Sequence, residues 1–184
     1  MGTIKSVAVY LGATMPKDPV FPNAVKELGV ELAKRGITLV FGGSREGTMT
    51  VLADAVLQHG GKAVGVFTRN LPMDLLYQGL TETIITDDLS ERKAKMFALA
   101  DAVIGLPGSF GTWDELFDVL ERSKMEIINK RVPKPIGILN LNGFYDGLGE
   151  LIQCSIREGF TSKKYVNLLR FANTVGELLD KILE

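Results

Sequence analysis

The chain alternates short apolar runs with amphipathic helical patterns along almost its whole length. The apolar runs begin at Val7, Ile37, Ala63, Thr83, Ala102 and Pro135, and read VAVYLG, ITLVF, AVGVF, TIIT, AVIGL and PIGIL. Because these runs are apolar on both faces, they predict strands of a parallel sheet that is covered by helices on each side.

Helical patterns separate the predicted strands. One stripe, Val25, Leu28 and Leu32, ends at Gly36, and the next, Met49, Leu52, Ala53 and Val56, ends at Gly60-Gly61. Further helices are predicted over 90–100, from Thr112, over 144–159 and from Thr174. Since no Pro-rich or Ser-rich linker interrupts this order, residues 1–184 are predicted to form one α/β domain, a doubly wound, Rossmann-like parallel sheet with helices on both faces.

Charge and cysteine content restrict the partners and the compartment. The net charge of −1 provides no field that attracts a polyanion, so we expect no nucleic-acid partner. The single cysteine, Cys154, excludes an internal disulfide and suits a reducing cytoplasm. No apolar run is long enough for a membrane span, and no metal-binding constellation is visible in the sequence. We therefore expect a cytoplasmic protein that binds neither a membrane nor a metal.

Glycine-rich loops follow two of the predicted strands. They are the segment from Gly42 through Gly43 and Ser44 to Thr48, and the segment Gly108-Ser109-Phe110-Gly111-Thr112. Glycines let the backbone approach a ligand, and the free N–H groups of a helix N-terminus attract phosphate. The first loop lacks the lysine of a Walker A motif, and neither loop reads G-x-G-x-x-G. The alternative is that both are tight turns with good helix caps, but two such loops at one edge of a sheet favour an anionic ligand.

Glu115 allows two interpretations from spacing alone. Thr112 and Glu115 have the T-x-x-E spacing of a capping box, in which both side chains satisfy backbone donors of a helix start. Thr174 and Glu177 repeat this spacing without a glycine loop before them. Glu115 is therefore either a capping residue or a functional carboxylate.

Arg92 favours the functional interpretation. It shares a helical stripe with Met96 and Leu99, which places its cation in the sheet-facing part of a first turn. A cation there lies near the positive end of the helix dipole and is partly desolvated, so it needs an anionic partner. Glu115 or a ligand phosphate could be that partner. The alternative is an arginine that extends to solvent beside Asp87 or Asp88.

These residues resemble a known family. Arg92-Lys93-x-x-Met96 and Pro107-Gly108-x-x-Gly111-Thr112-x-x-Glu115 resemble the motifs of the Lonely guy (LOG) family, which is also labelled lysine decarboxylase-like. The resemblance covers nearly the whole chain. It implies a phosphoribohydrolase that cleaves the N-glycosidic bond of a nucleoside 5′-monophosphate, such as a cytokinin ribotide or AMP, to the free base and ribose 5-phosphate.

The resemblance also implies roles for individual residues. Arg92 and Glu115 are expected to be catalytic. The substrate-binding residues are expected to be Gly43, Ser44, Asp74, Lys93, Gly108, Ser109, Phe110, Gly111 and Thr112. The chain departs from the family pattern at Ser44 and Ser109, where the family tends to carry glycine, which leaves the base specificity open.

The resemblance further implies a homodimer and no cofactor. The decarboxylase label suggests pyridoxal phosphate, but no lysine is placed convincingly for a Schiff base. A different class of function stays open, namely a non-catalytic carrier of a nucleotide or of molybdenum cofactor on the same fold. Retention of both Arg92 and Glu115 favours the enzyme.

Overall fold

A computed structural model describes residues 3–183. The strands are β1 (Ser6–Tyr10), β2 (Thr38–Phe41), β3 (Ala63–Thr68), β4 (Glu82–Thr86), β5 (Ala102–Gly105), β6 (Ile136–Leu139) and β7 (Leu169–Ala172). The helices are α1 (Val20–Lys34), α2 (Gly47–Gln58), α3 (Leu89–Leu99), α4 (Phe110–Ile128), α5 (Asp146–Arg157), α6 (Lys163–Val166) and α7 (Val175–Leu183). Short 3₁₀ turns lie at Met73–Leu75 and Leu141–Gly143.

The seven strands form one parallel sheet in the order β4-β3-β2-β1-β5-β6-β7. Val7 of the central strand β1 is in register with Leu39 on one side and Ala102 on the other. The chain builds outward from β1 to β4, then crosses back and continues from β5 to β7. The loops after β1 and β5 therefore diverge, which opens a crevice at the carboxyl edge of the sheet.

Two apolar layers cover the sheet, as the doubly apolar runs predict. Val7 and Val9 of β1 face a cluster formed with α1, α2 and α7, whereas Ala8 and Tyr10 face a cluster formed with α3 and α4. The predicted fold class, a Rossmann-like α/β sheet with helices on both faces, is confirmed.

The six predicted strands are present, but the seventh, β7, was missed. Its sequence, LRFA, is short, carries Arg170 and is only partly buried, so it lacks the continuous apolar signal of the other strands. The predicted helix over 144–159 is shorter in the structure, because Phe144 and Tyr145 lie between the 3₁₀ turn and α5.

Candidate active site

A cavity of about 230 Å³ opens at the carboxyl edge of the sheet, beside β1. Its walls come from the ends of β1 and β2, from α3 and from the start of α4. The lining residues are Val9, Leu11, Ala13, Gly42, Ser44, Glu46, Met49, Leu71, Arg92, Met96, Ser109, Gly111, Thr112 and Glu115. Most of the polar groups among them come from the two glycine-rich loops and from the pair Arg92 and Glu115.

Arg92 lies in the first turn of α3 and points into this cavity. Its Nε donates to the carbonyl oxygen of Val66 at 2.9 Å, and its Nη1 donates to Oε1 of Glu115 at 3.1 Å. Only 11% of the Arg92 side chain and 10% of the Glu115 side chain are exposed. The structure therefore brings the two groups together, and Arg92 does not extend to solvent beside Asp87, which instead pairs with Arg69.

The buried stripe of α3 that includes Arg92 is shorter than the sequence predicts. Met96 is fully buried, but Leu99 is 36% exposed, because it lies in the last turn of α3. Asp88 caps the helix by accepting from the backbone N–H of Glu91 at 2.7 Å. This cap fixes the first turn of α3 and hence the direction of the Arg92 side chain.

The capping-box interpretation of Thr112 and Glu115 is wrong. Helix α4 begins at Phe110, two residues earlier than predicted, with Ser109 at the N-cap position. Glu115 therefore lies within the helix and its carboxylate pairs with Arg92. The same spacing at Thr174 does form a cap, since Thr174 Oγ1 accepts from the N–H of Glu177 and Glu177 accepts from the N–H of Asn173.

Burial governs the protonation of Glu115. Removal from solvent raises the pKa of this carboxyl from 4.5 to about 7, and the positive charge of Arg92 opposes the rise. Asp114 adds to the rise, whereas Lys93 lowers the pKa. Glu115 therefore exchanges its proton close to neutral pH, which is the range that favours a role in acid–base or electrostatic catalysis.

The start of α4 presents backbone donors to the cavity. Ser109, Gly111 and Thr112 line it, and the Ser109 hydroxyl makes no cap to the helix. The first N–H groups of a helix have no partner within the helix, and no acidic side chain occupies the first turn of α4. This helix end can therefore bind an anion such as phosphate in the cavity that Glu115 also lines.

Gly108, in the same loop, packs closely against Gly12. A side chain there would overlap Thr112 and would come within 3.0 Å of the backbone nitrogen of Gly12. Gly108 lines a second cavity of about 200 Å³, whose walls are mainly apolar and which shares Ser109 with the first. The loop after β5 thus separates two adjoining cavities.

The loop after β2 forms the opposite wall. Gly43 adopts φ +70° and packs on Gly65, while Ser44 pairs with Leu76 in an isolated antiparallel bridge. The backbone N–H of Tyr77 donates to the Gly43 carbonyl at 2.9 Å, and the N–H of Arg45 donates to the Leu75 carbonyl at 2.8 Å. These bonds fix the loop that carries Ser44 and Glu46.

Five predicted binding residues do not line the cavity. Gly43 lies in the loop after β2 without lining it, and Gly108 lines the adjoining cavity instead. Asp74 is exposed on the 3₁₀ turn at Met73–Leu75. The Nζ of Lys93 pairs with Asp114 at 2.8 Å, and Phe110 is 81% exposed. Their predicted contacts with substrate stay predictions.

Glu46, Met49 and Leu71 line the cavity but were not predicted as site residues. Glu46 and Met49 lie in or directly after the first glycine-rich loop, so their position was a usable signal. Leu71 lies in the long β3–β4 connection, where nothing in the sequence indicates that the chain folds back toward the site.

Gly42 offers a test of the Arg92 position. A Cβ at Gly42 would overlap the terminal nitrogen of Arg92, whereas the backbone there is not in the left-handed region. Gly42→Ala is therefore expected to displace the guanidinium and to lower the turnover of substrate by about 100-fold. At pH 6, where Glu115 is largely protonated and needs no cation beside it, the free energy of unfolding should change by only about 1 kcal/mol.

Gly176→Ala is the matched control, since a Cβ at Gly176 in α7 meets open space. Steady-state kinetics and urea unfolding of both variants check the prediction. Full activity in Gly42→Ala contradicts it.

The sequence matches the family model described as "Possible lysine decarboxylase" over residues 49–182. It is 34% identical to the "Probable cytokinin riboside 5'-monophosphate phosphoribohydrolase LOG4" of Oryza sativa subsp. japonica, over 100% of this chain and 78% of that protein. It is 35% identical to the "Cytokinin riboside 5'-monophosphate phosphoribohydrolase LOG" of the same plant, over 98% of this chain and 73% of that protein.

Among solved structures, the molybdenum cofactor binding protein of Rippkaea orientalis superposes with a TM-score of 0.67 at 18% identity, over 95% of this chain and 93% of that chain. At that identity the likeness shows the fold alone. The relatives that are similar in sequence along the whole chain, together with the family model, are decisive: this protein belongs to the LOG family, the family of possible lysine decarboxylases.

Proposed function

We propose that this protein is an N-glycosidase that hydrolyses nucleoside 5′-monophosphates to the free base and ribose 5-phosphate. The single observation that carries the proposal is the buried pair of Arg92 and Glu115, joined at 3.1 Å beside the N-terminus of α4. The relatives named as phosphoribohydrolases support this activity, and they make cytokinin ribotides and AMP the first substrates to test.

The geometry suits the chemistry of this bond. The phosphate binds the N–H groups at the start of α4, through Ser109, Gly111 and Thr112. The ribose then lies beside Glu115, one helical turn deeper. Cleavage of the C–N bond develops positive charge on the ribose ring, and the ionised carboxylate stabilises that charge and orients a ribose hydroxyl or the attacking water.

Arg92 has a separate role. It holds Glu115 in place through Nη1, is itself held by the Val66 carbonyl, and keeps the pKa of Glu115 lower than burial alone would set it. Because a guanidinium stays charged throughout, Arg92 can stabilise a departing base without exchanging a proton.

Pyridoxal phosphate does not fit this cavity. Its Schiff base requires a lysine, and the lining residues found within the described part of the chain include none. Lys93 follows Arg92 in sequence, but its ammonium group pairs with Asp114. The chemistry is therefore assigned to the carboxylate and the guanidinium.

A direct assay tests the activity. Purified protein is incubated with AMP, GMP, IMP, UMP and an N6-substituted AMP, and the free base and ribose 5-phosphate are quantified. We expect both products in equal amounts from at least one monophosphate and none from the corresponding nucleosides, which lack the phosphate. Tight binding of a monophosphate without either product would support a carrier instead.

We further propose a homodimer that forms through α4 and α5. Apolar side chains of both helices line an open groove of about 530 Å³, among them Trp113, Phe117 and Leu151. Phe117 is 50% exposed and Leu151 is 56% exposed, which is unusual for neighbouring large apolar groups on a surface without a partner. The same helix α4 carries Glu115, so the interface adjoins the site.

Replacing Phe117 and Leu151 together by glutamate is expected to give a monomer. Charged groups cannot be buried without partners, so the two copies should separate. Analytical ultracentrifugation should show twice the chain mass for the native protein and a single chain mass for the variant. A double variant of the exposed Val132 and Phe160 to glutamate is the control, and dimers in the α4–α5 variant contradict the proposed interface.

We propose a cytoplasmic location, supported by the lone cysteine, Cys154, which is free. Residues 3–183 contain no helix that is both long and apolar enough to span a membrane.

A further inference from the structure

Glu46 places a second carboxylate in the cavity. It is the N-cap residue of α2, but its side chain makes no cap hydrogen bond. No lysine, arginine or histidine of residues 3–183 lies within 4 Å of it. Among residues 3–183, the one hydrogen bond to its side chain comes from the Ser44 hydroxyl, at 3.5 Å from Oε2. An acceptor without a strong donor is therefore available to a ligand.

The buried residue Ser44 adds a hydroxyl beside this carboxylate. Because 3.5 Å is at the limit of a hydrogen bond, the Ser44 proton is free to turn toward a ligand. Ser44 and Glu46 together offer one donor and two acceptor oxygens on the same wall of the cavity.

This wall lies at the far end of the cavity from the α4 N-terminus. Glu115 contacts Arg92, and the far side of the Arg92 guanidinium lies against Gly42, which begins the loop of Ser44 and Glu46. That loop follows β2, whereas α4 follows β5, and β1 lies between the two strands. Two strand spacings, roughly 10 Å, therefore separate the two ends.

The two ends of the cavity indicate which part of a nucleoside 5′-monophosphate binds at each end. This assignment rests on the proposed function. With the phosphate at the start of α4 and the ribose beside Glu115, the base extends past Arg92 toward Ser44 and Glu46. Guanine presents a carbonyl acceptor followed by two neighbouring N–H donors along one edge. The Ser44 hydroxyl and the two Glu46 oxygens are the complement of that edge.

We propose that Glu46 is the residue that determines base specificity and that, with Ser44, it selects guanine nucleotides. Guanine N1 carries a hydrogen that the Glu46 carboxylate can accept, whereas adenine N1 is itself an acceptor. With adenine bound, two acceptors therefore face each other and no hydrogen bond forms. Hypoxanthine keeps the carbonyl and one N–H but lacks the second donor. The specificity constants are therefore ordered GMP, IMP, AMP.

The test compares the native protein with Glu46→Gln. A bidentate contact of this kind discriminates by about 10- to 100-fold. The native protein should therefore prefer GMP to AMP by that factor in kcat/KM. The glutamine amide offers one acceptor and one donor, so the GMP to AMP ratio of kcat/KM should fall toward one, mainly through a loss in kcat/KM for GMP. Glu27→Gln, an exposed change on α1, is the matched control and should keep the native ratio.

A binding measurement separates this inference from the proposed activity. Binding of GMP and AMP is measured by titration calorimetry on the single variant Glu115→Gln and on the double variant that also carries Glu46→Gln. This measurement does not depend on turnover. The double variant should lose the GMP preference of the single variant. If the native protein has the same kcat/KM for GMP and AMP, Glu46 does not select the base. The same holds if Glu46→Gln lowers kcat/KM by the same factor for every base. Absence of product from every monophosphate overturns the proposed activity instead.

Discussion

Glu115→Gln is expected to lower kcat for the preferred nucleoside 5′-monophosphate by about 10²- to 10⁴-fold at pH 8. Glutamine has the size of glutamate and can still accept the hydrogen bond from Arg92 Nη1, so the site keeps its shape. It cannot carry the negative charge that stabilises the developing positive charge on the ribose. The dissociation constant of the substrate should therefore change much less than kcat.

Glu121→Gln is the matched control for this prediction. Glu121 lies on the same helix, α4, but its side chain is 61% exposed and pairs with Lys124 at the surface. Its replacement should leave both kcat and KM near the native values. Native turnover in Glu115→Gln would remove the carboxylate from the mechanism.

Arg92→Met is expected to produce a loss of stability that grows with pH. Without the guanidinium, burial raises the pKa of Glu115 above about 7, because the charge that opposed the rise is gone. The folded protein then binds a proton that the unfolded chain, with its ordinary glutamate pKa of 4.5, has released. Native and variant therefore lose stability in parallel between pH 4.5 and about 7, and the difference between them grows only above about pH 7, up to the higher pKa of Glu115 in the variant.

At pH 9 the variant must bury an uncompensated carboxylate, and we expect a loss of about 3–5 kcal/mol in the free energy of unfolding. The loss at pH 6 should be clearly smaller, because Glu115 is then protonated. Urea unfolding of both proteins at the two pH values measures this difference. A loss that is equal at both values contradicts the coupling between Arg92 and Glu115.

The sequence predicted the sheet because parallel strands buried on both faces leave a strong apolar signal. The runs at Val7 and Ala102 are the central strands β1 and β5. Helix starts were less predictable, since T-x-x-E occurs both at Thr174, where it caps α7, and at Thr112, where it does not. Spacing cannot distinguish the two, because α4 begins two residues before Thr112 and the Glu115 carboxylate pairs with Arg92, 23 residues away in sequence.

The candidate site was predictable only in part, because several of its contacts join residues that are far apart in sequence. The need of a sheet-facing arginine for an anion pointed to Glu115, and the glycine loops pointed to the edge of the sheet. Leu71 lines the cavity because the β3–β4 connection folds back onto the loop of Ser44. Two backbone hydrogen bonds between the connection and that loop hold it there, and no local sequence pattern encodes them. The side of the loop that Glu46 faces is likewise set by tertiary packing.

The pH dependence of kcat/KM for the native protein and Glu115→Gln tests most directly whether the Arg92–Glu115 pair performs the cleavage. Native activity is expected to rise with pH through an inflection near 7, the pKa of Glu115, and then to level off. The substrate phosphate also titrates, with a pKa of about 6, and should contribute equally to the pH profiles of both proteins. Glu115→Gln should keep only that second inflection. An inflection near pH 7 that persists in Glu115→Gln, or that is absent from the native protein, would show that ionised Glu115 does not drive the cleavage.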